Sequence, residues 1–216
     1  MTSMADLTPG TIGFGPLYGP AGKLAMLGEV VCDGGFHVGE LNVGHVFVVT
    51  EQHSLGPVMA VEAMPNGARE VQIDLDRWTP EYAYVRLPED YPGQALDAAI
   101  MARAMIGTPY SFASYAALAA WRFGWKAPKL EEWINRRKPA QRIDGASTLR
   151  SEERDGAAFY TRQLPCEAIC SVLADQAWAL TGKQVMPEGT PHQCVTPSVL
   201  GAALLTMEGA RWIWPA

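Results

Sequence analysis

The chain lacks the features that would place it in a membrane or in the secretory pathway. None of its apolar runs approaches the roughly 20 residues of a membrane-spanning helix. The first ten residues, MTSMADLTPG, have neither the charged region nor the apolar region of a signal peptide. We therefore expect no membrane span and no signal peptide, and a location in the cytoplasm or, for a phage-encoded chain, in the virion.

Cysteine and basic residues are also scarce. Four cysteines in 216 residues are too few for the disulfide framework of a small secreted domain. The 17 Lys and Arg against 23 Asp and Glu give a net charge of -6. A nucleic-acid-binding surface needs clustered basic residues, and the one basic run, INRRKPAQR, is typical of a solvated helix end. We expect no nucleic-acid partner.

The chain does have enough apolar sequence for a core. It is 48% hydrophobic and 19% charged, and its length fits one domain over residues 1–216. Strand-like segments fill its first ninety residues, and their short links predict an antiparallel meander. LTPGTIGFGPLYGPAG predicts a short strand that enters a loop, and strands follow in NVGHVFVVT, VMAVEA, AREVQIDLD and EYAYVRLP.

Helical periodicity then replaces strand alternation. The segment PGQALDAAIMARAMIG predicts a helix that Gly107 ends, and VTPSVLGAALLT predicts one with Thr196 as N-cap and Pro197 in the first position. Strands followed by helices indicate an α+β domain. The remaining predictions are helices over 22–35, 111–124 and 127–139, a helix beginning near Cys170, an exposed loop over 140–157 and a closing strand or tail in ARWIWPA.

Cys170 lies near the start of a predicted helix in LPCEAICSVLADQAWALTG, and an upstream extension of that helix to Glu167 is left open. Cysteine attacks as a thiolate, and a helix N-terminus favours that negative charge. Small Ser171 follows and leaves space for a substrate. Three other interpretations remain open: a buried core cysteine, which is the common role in such a segment; a disulfide; or a zinc site with the pattern C-x3-C…H-x-C, formed by Cys166, Cys170, His192 and Cys194.

Two polar residues lie within otherwise apolar strands. His45 opens GHVFVVT, and Glu62 interrupts VMAVEAMP. A buried polar group needs a hydrogen-bond partner. If the two strands pair as a hairpin, Glu62 accepts the second imidazole N–H of His45, as the carboxylate does in a nucleophile–base–carboxylate triad. A histidine satisfied by a backbone carbonyl and a glutamate at the surface are the alternatives.

Five segments in order, GHVFVVTE, VEAMPNG, GTPYSFASY, ICSVLADQAW and VTPSVL, resemble the circularly permuted branch of the NlpC/P60 papain-like cysteine peptidases and amidases. In that branch the histidine strand precedes the cysteine helix. The resemblance covers 9–200, with an insertion-like helical and loop stretch over 121–159. It departs at Thr11, where the family often has an acid. The resemblance implies a permuted papain-like fold, with an antiparallel sheet or barrel packed against helices.

The resemblance also implies a role for each site residue. Cys170 resembles the nucleophile, His45 the general base and Glu62 the polar third residue. Tyr110, in GTPY, resembles the tyrosine near the oxyanion position, and the backbone N–H of Cys170 or Ser171 would share the oxyanion. No metal or organic cofactor is expected.

The expected function is that of a cysteine hydrolase that cleaves an amide bond through a thioester intermediate, with a bacterial cell-wall peptide as the implied substrate. Two alternatives belong to other classes. One is an acyltransferase or esterase acting on lipid or thioester substrates, because the permuted papain-like group includes lipid acyltransferases. The other is a structural or binding module with partner chains in a phage tail or cell-envelope assembly, since a fold does not fix a function.

Overall fold

The computed structural model describes residues 3–16, 37–38, 41–52, 57–110, 169–186 and 195–215. They form a mixed α+β structure in which an antiparallel six-stranded sheet packs against helices, which confirms the predicted class. The strands are β1 (Ile12–Gly15), β2 (His37–Val38), β3 (Leu41–Asn42), β4 (His45–Gln52), β5 (Val58–Met64), β6 (Gly67–Ile73), β7 (Ala83–Arg86) and β8 (Arg211–Ile213). The α-helices among these residues are α1 (Gln94–Ala104), α2 (Cys170–Ala179) and α3 (Pro197–Thr206), and 3₁₀ turns cover Met4–Asp6 and Leu75–Arg77.

The sheet has the strand order β6-β5-β4-β1-β7-β8, and every neighbouring pair is antiparallel. The predicted meander is confirmed for β4, β5 and β6, which pair consecutively. It is wrong for the fourth predicted strand, because β7 pairs with β1 instead of β6. The link over 74–82 contains a 3₁₀ turn and is too long for a tight hairpin, so it carries the chain across the sheet.

Two glycines let β1 occupy a central position in the sheet. A Cβ on Gly13 would lie 2.2 Å from the ring of Phe47, and a Cβ on Gly15 would lie 2.2 Å from the ring of Tyr82. Because neither glycine has a side chain, both rings pack directly against the backbone of β1. A larger residue at either position would displace an aromatic ring.

The two faces of the sheet carry different cores. One face packs aliphatic side chains, among them Val46, Val48 and Val61, against the three helices. The opposite face is called the aromatic face below, and its buried residues include Phe47, Val49, Ala60, Ile73, Tyr82 and Tyr84. Side-chain alternation along each strand separates the two sets.

The end of α1 and the start of α3 agree with the signals in the sequence. Gly107 follows α1 with a φ of 86°, a backbone conformation that glycine adopts at little cost. Thr196 is the N-cap of α3, where its hydroxyl accepts the N–H of Val199 at 3.2 Å, and Pro197 is the first helical residue. Both predictions are confirmed.

Several predicted elements lie outside the described residues. They are the helices over 22–35, 111–124 and 127–139 and the polar loop over 140–157, and with them the insertion-like stretch 121–159. The predicted closing strand is present as β8. No helix in the part of the chain that the structure describes has the length and apolar character needed to cross a bilayer.

Candidate active site

The candidate site is built on the hairpin of β4 and β5. His45 is the first residue of β4, and Glu62 on β5 lies directly opposite Phe47. Because His45 and Phe47 are two residues apart, their side chains leave the same face, and the diagonal from His45 to Glu62 is within reach of long side chains. Nε2 of His45 lies 2.9 Å from Oε2 of Glu62. The structure thus brings these two predicted residues together.

Glu62 also binds two arginines. Nε and Nη2 of Arg69 lie 3.1 and 2.8 Å from its Oε1, and Nη1 of Arg77 lies 3.1 Å from its Oε2. Arg69 is the cross-strand partner of Glu62 on β6, and Arg77 ends the 3₁₀ turn that follows β6. The carboxylate is 1% exposed and the histidine 5%. A buried carboxylate is therefore surrounded by three cationic or ionisable groups.

Opposing effects set the ionisation of Glu62. Burial raises the pKa of this carboxyl group, because the charge loses its hydration. The hydrogen bond and charge of His45 lower the pKa, as do the charge of Arg77 and the hydrogen bond of Arg69. The lowering effects prevail and bring the pKa of Glu62 from 4.5 to about 2. Since an ionised carboxylate only accepts hydrogen bonds, the neutral imidazole of His45 carries its proton on Nε2 and its lone pair on Nδ1.

A side-chain contact and a backbone hydrogen bond hold Arg77 on the aromatic face. Its guanidinium lies 5.5 Å from the ring centroid of Phe47, within the range of a cation–π interaction. Its backbone carbonyl accepts a hydrogen bond from the hydroxyl of Tyr84, and burial raises the pKa of Tyr84, so that this hydroxyl remains a donor. The side chain of Arg77 is 22% exposed and that of Arg69 is 45% exposed. Arg77 is the more fixed of the two arginines.

Cys170 is the first residue of α2. Ile169 before it is extended and provides no capping side chain, and the first hydrogen bond of the helix runs from the N–H of Leu173 to the carbonyl of Ile169 at 2.9 Å. The N–H groups of residues 170–172 precede that bond, at the end of the helix where negative charge is favoured. The thiol is 1% exposed and is not part of a disulfide.

The far end of α2 is connected to β4 through Gly10. Nε1 of Trp178 donates to the carbonyl of Gly10 at 3.1 Å, and the N–H of Gly10 donates to the carbonyl of Val49 at 2.8 Å. Val49 lies in the second half of β4, away from His45. The C-terminal end of α2 therefore lies near the second half of β4, and α2 contacts β4.

A second connection holds the start of α2. Ser171 is fully buried, and its hydroxyl donates to the carbonyl of Val195, just before α3. Helix α3 contacts β2, the strand whose ribbon with β3 leads into β4. The side chain of Ser171 therefore has a structural partner, and only its backbone N–H corresponds to the predicted oxyanion role.

The thiol of Cys170 and the imidazole of His45 lie on opposite faces of the sheet. Cys170 belongs to the helix-covered core together with Val46, whereas His45 shares the aromatic face with Phe47, with their rings 6.2 Å apart. Since His45 is the first residue of its strand, the two groups can approach each other only around the beginning of β4. The structure places the predicted base at the beginning of β4 on the aromatic face, and the predicted nucleophile in the core on the opposite face.

Tyr110 lies beside the beginning of β6. The carbonyl of Thr108, two residues earlier, accepts the N–H of Ala68 at 2.8 Å, and Ala68 is the neighbour of Arg69. The ring of Tyr110 is half-buried and packs against the core that contains Cys170. This position is compatible with the predicted role of Tyr110 near the site.

Thr11 marks the departure from the family pattern. It is 1% exposed, its Oγ1 has no hydrogen-bond partner among the described residues, and its carbonyl accepts the N–H of Val49 at 2.8 Å. An ionised acid at this buried position would need a compensating partner. The neutral threonine avoids that requirement.

The described residues include no group of three or more His, Cys, Asp and Glu that could hold a metal ion. Of the C-x3-C…H-x-C set, only Cys170 is described, and Cys166, His192 and Cys194 lie outside the described residues. The zinc interpretation therefore remains untested by the structure.

The sequence reasoning did not identify Arg69 and Arg77. Arg69 had a usable signal, because the two-residue turn after Met64 fixes the β5–β6 register and sets Arg69 opposite Glu62. No signal in the sequence indicates the position of Arg77. It contacts Glu62 from a 3₁₀ turn, and local sequence patterns do not predict where that turn lies relative to the sheet.

Comparison with known proteins gives no assignment for this chain. No model of a known protein family matches it, and no curated protein matches it significantly.

Proposed function

We propose that the protein is a cysteine hydrolase that cleaves an amide bond, with Cys170 as nucleophile, His45 as general base and Glu62 as the carboxylate that orients His45. The observation that carries the proposal is the buried hydrogen bond of 2.9 Å between His45 and Glu62 at the beginning of β4. A permuted papain-like fold is part of the proposal. The histidine strand that precedes the cysteine helix, and the antiparallel sheet against which that helix packs, support it.

The hydrogen bond gives His45 the properties of an oriented base. Glu62 occupies Nε2, fixes the tautomer and stabilises the imidazolium that forms when Nδ1 accepts a proton. A buried histidine with only a structural role needs one hydrogen bond, which a backbone carbonyl can supply. Burial of the Glu62 charge is costly and is offset by its partners. A buried carboxylate with a strongly lowered pKa next to a histidine is a common feature of acid–base sites, which supports the proposal.

The proposed reaction begins when Nδ1 of His45 takes the thiol proton of Cys170, and the thiolate attacks the carbonyl carbon of the amide. The oxyanion of the tetrahedral intermediate is bound by backbone N–H groups at the start of α2, with Tyr110 near it. His45 then protonates the leaving amine as the C–N bond breaks and a thioester forms. A water molecule, deprotonated by His45, hydrolyses the thioester and releases the acid.

A cell-wall peptide is the substrate that the family resemblance implies. Purified protein should be incubated with a panel of muropeptides, acyl esters and acyl thioesters, and products should be identified by mass spectrometry. We expect amide cleavage of a muropeptide, and a loss of roughly a thousandfold or more in Cys170→Ala with an unchanged circular dichroism spectrum. Cleavage of esters or thioesters alone would indicate the acyltransferase or esterase alternative.

The chain provides a matched control for this experiment. A triple variant with Cys32, Cys166 and Cys194 replaced by alanine retains only the thiol of Cys170. Turnover in the triple variant, together with no turnover in Cys170→Ala, would assign the chemistry to Cys170. Turnover in Cys170→Ala at the wild-type rate would exclude the proposal.

One observation favours a second candidate, a papain-like scaffold used for binding. Cys170 is 1% exposed and lies within an apolar core, which is also the environment of an unreactive structural cysteine. In that case Cys170→Ala would leave the function of the protein intact, and the protein would be recovered in a stable complex with partner chains.

A further inference from the structure

Glu62 has more hydrogen-bond donors than the carboxylate of a nucleophile–base–carboxylate triad requires. Two N–H groups of Arg69 bind Oε1, and Arg77 shares Oε2 with His45. A carboxylate that only orients a histidine needs one hydrogen bond to it. The two guanidinium groups therefore require their own explanation.

The charges of this cluster do not cancel. Two permanently charged guanidinium groups compensate one carboxylate, so the cluster carries a net positive charge while the imidazole of His45 is neutral. A proton added to the histidine–carboxylate pair would raise this charge further, whichever of the two groups bound it. Arg77 and His45 share one oxygen, so the added charge would lie within the distance at which like charges interact strongly.

Other ionisable groups near the pair moderate the effect. The charges of Asp76, Glu81, Arg77 and Glu62 all act on the pKa of Tyr82, so the two acids lie within electrostatic range of the same tyrosine as the cluster. The two acids offset part of the excess positive charge. Helix α2, on the opposite face of the sheet, carries two buried titratable side chains, Cys170 and Asp175. The expected effect of removing one arginine is therefore moderate.

We propose that Arg69 and Arg77 are positioning residues that oppose proton uptake by the His45–Glu62 pair, so that Nδ1 of His45 keeps its lone pair at a lower pH than in a pair without arginines. They act through Glu62: each arginine binds one carboxylate oxygen and keeps Oε2 directed at Nε2. The low pKa of Glu62, with both arginines among its causes, agrees with this role. The consequence for catalysis rests on the proposed function, because it requires Nδ1 to be the base for Cys170.

The test is a titration of the histidine–carboxylate pair. The imidazole signals of His45 in ¹⁵N-histidine-labelled protein are followed by NMR against pH, and the chain has only four histidines to assign. We expect the midpoint of proton uptake to rise by about one pH unit in Arg77→Gln, which removes the charge and keeps a donor. Arg77→Lys restores the charge and should return the midpoint to within about 0.3 units of the wild type.

Arg103→Gln is the matched control. Arg103 also binds two carboxylates, those of Glu51 and Glu70, but it does not bind the pair, and its substitution should leave the midpoint unchanged. If Arg77→Gln does not fold, Arg69→Gln carries the test, because Arg69 is half exposed and does not stack on Phe47. A midpoint that stays constant or falls in the folded Gln variant would overturn the proposal.

The titration is independent of turnover. A constant midpoint together with a reactive Cys170 would refute the role of the arginines and leave the proposed function intact. A raised midpoint together with an unreactive Cys170 would refute the proposed function and leave the electrostatic role intact.

Discussion

Two charge clusters on the sheet have similar geometry and different surroundings. In the first, Glu62 binds His45, Arg69 and Arg77 at 2.8–3.1 Å. In the second, Arg103 of α1 binds Glu51 and Glu70 at 2.5 and 2.8 Å. The central group of the first cluster is 1% exposed, whereas Arg103 is 40% exposed.

Burial makes these two clusters energetically different. Exposed ion pairs gain little, because water solvates the separated charges well and salt screens them. A buried carboxylate loses its hydration, so its partners are needed to keep it charged, and removal of one side leaves an uncompensated charge. The exposed cluster therefore joins α1 to the sheet weakly, whereas the buried cluster depends on its partners to keep Glu62 charged.

The largest expected effect is that of Glu62→Ala. It leaves His45 buried without its partner and removes the anion between two arginines, and we expect a loss of about 3 kcal/mol in the free energy of unfolding. Glu70→Ala is the matched change in the exposed cluster, on the neighbouring strand, and should cost less than about 1 kcal/mol. Equal losses in urea unfolding would show that burial does not distinguish the clusters.

The second effect is the dependence of stability on pH. Because the pKa of Glu62 is lowered from 4.5 to about 2, its contribution is complete above the higher value and is lost as the pH falls toward the lower one. We expect wild type to lose on the order of 3 kcal/mol more than Glu62→Gln between about pH 7 and about pH 2. Parallel stability curves for the two proteins, measured by denaturant unfolding, would contradict this interpretation.

The smallest effect is that of Arg103→Ala at different salt concentrations. We expect a loss below about 1 kcal/mol at low salt, which falls toward zero near 1 M NaCl as the exposed charges are screened. Arg77→Ala should lower the free energy of unfolding by more than Arg103→Ala does, and most of that loss should remain at high salt, because its partner Glu62 is buried. If the loss of stability in Arg103→Ala did not depend on salt, the exposed cluster would not differ from the buried one in its screening, which would contradict this comparison.

The sequence predicted the parts of the fold that depend on local pattern. Alternation identified β4, β5 and β6, and the Thr196–Pro197 pair identified the start of α3. It did not predict that β7 would pair with β1, because strand order depends on packing between distant segments. The rings that pack over Gly13 and Gly15 are part of that packing, and no pattern around the glycines indicates them.

Some residues of the candidate site were also predictable from local pattern, and others were not. His45 and Glu62 were predictable because a hairpin brings neighbouring strands together, and the same register would have revealed Arg69. Arg77 was not predictable, since it enters from a turn outside the ladder. The start of a helix at Cys170 was predicted, but the face of the sheet on which that helix lies depends on tertiary packing.

The most direct test of the proposed function is the alkylation rate of Cys170 against pH, measured by mass spectrometry in the wild type and in His45→Ala. We expect Cys170 in the wild type to react rapidly near pH ~6, well below the ordinary thiol value of about 8.5, and to lose this reactivity in the variant. A Cys170 that is inert, or that reacts as an ordinary thiol in both proteins, would contradict the proposed thiol–imidazole chemistry.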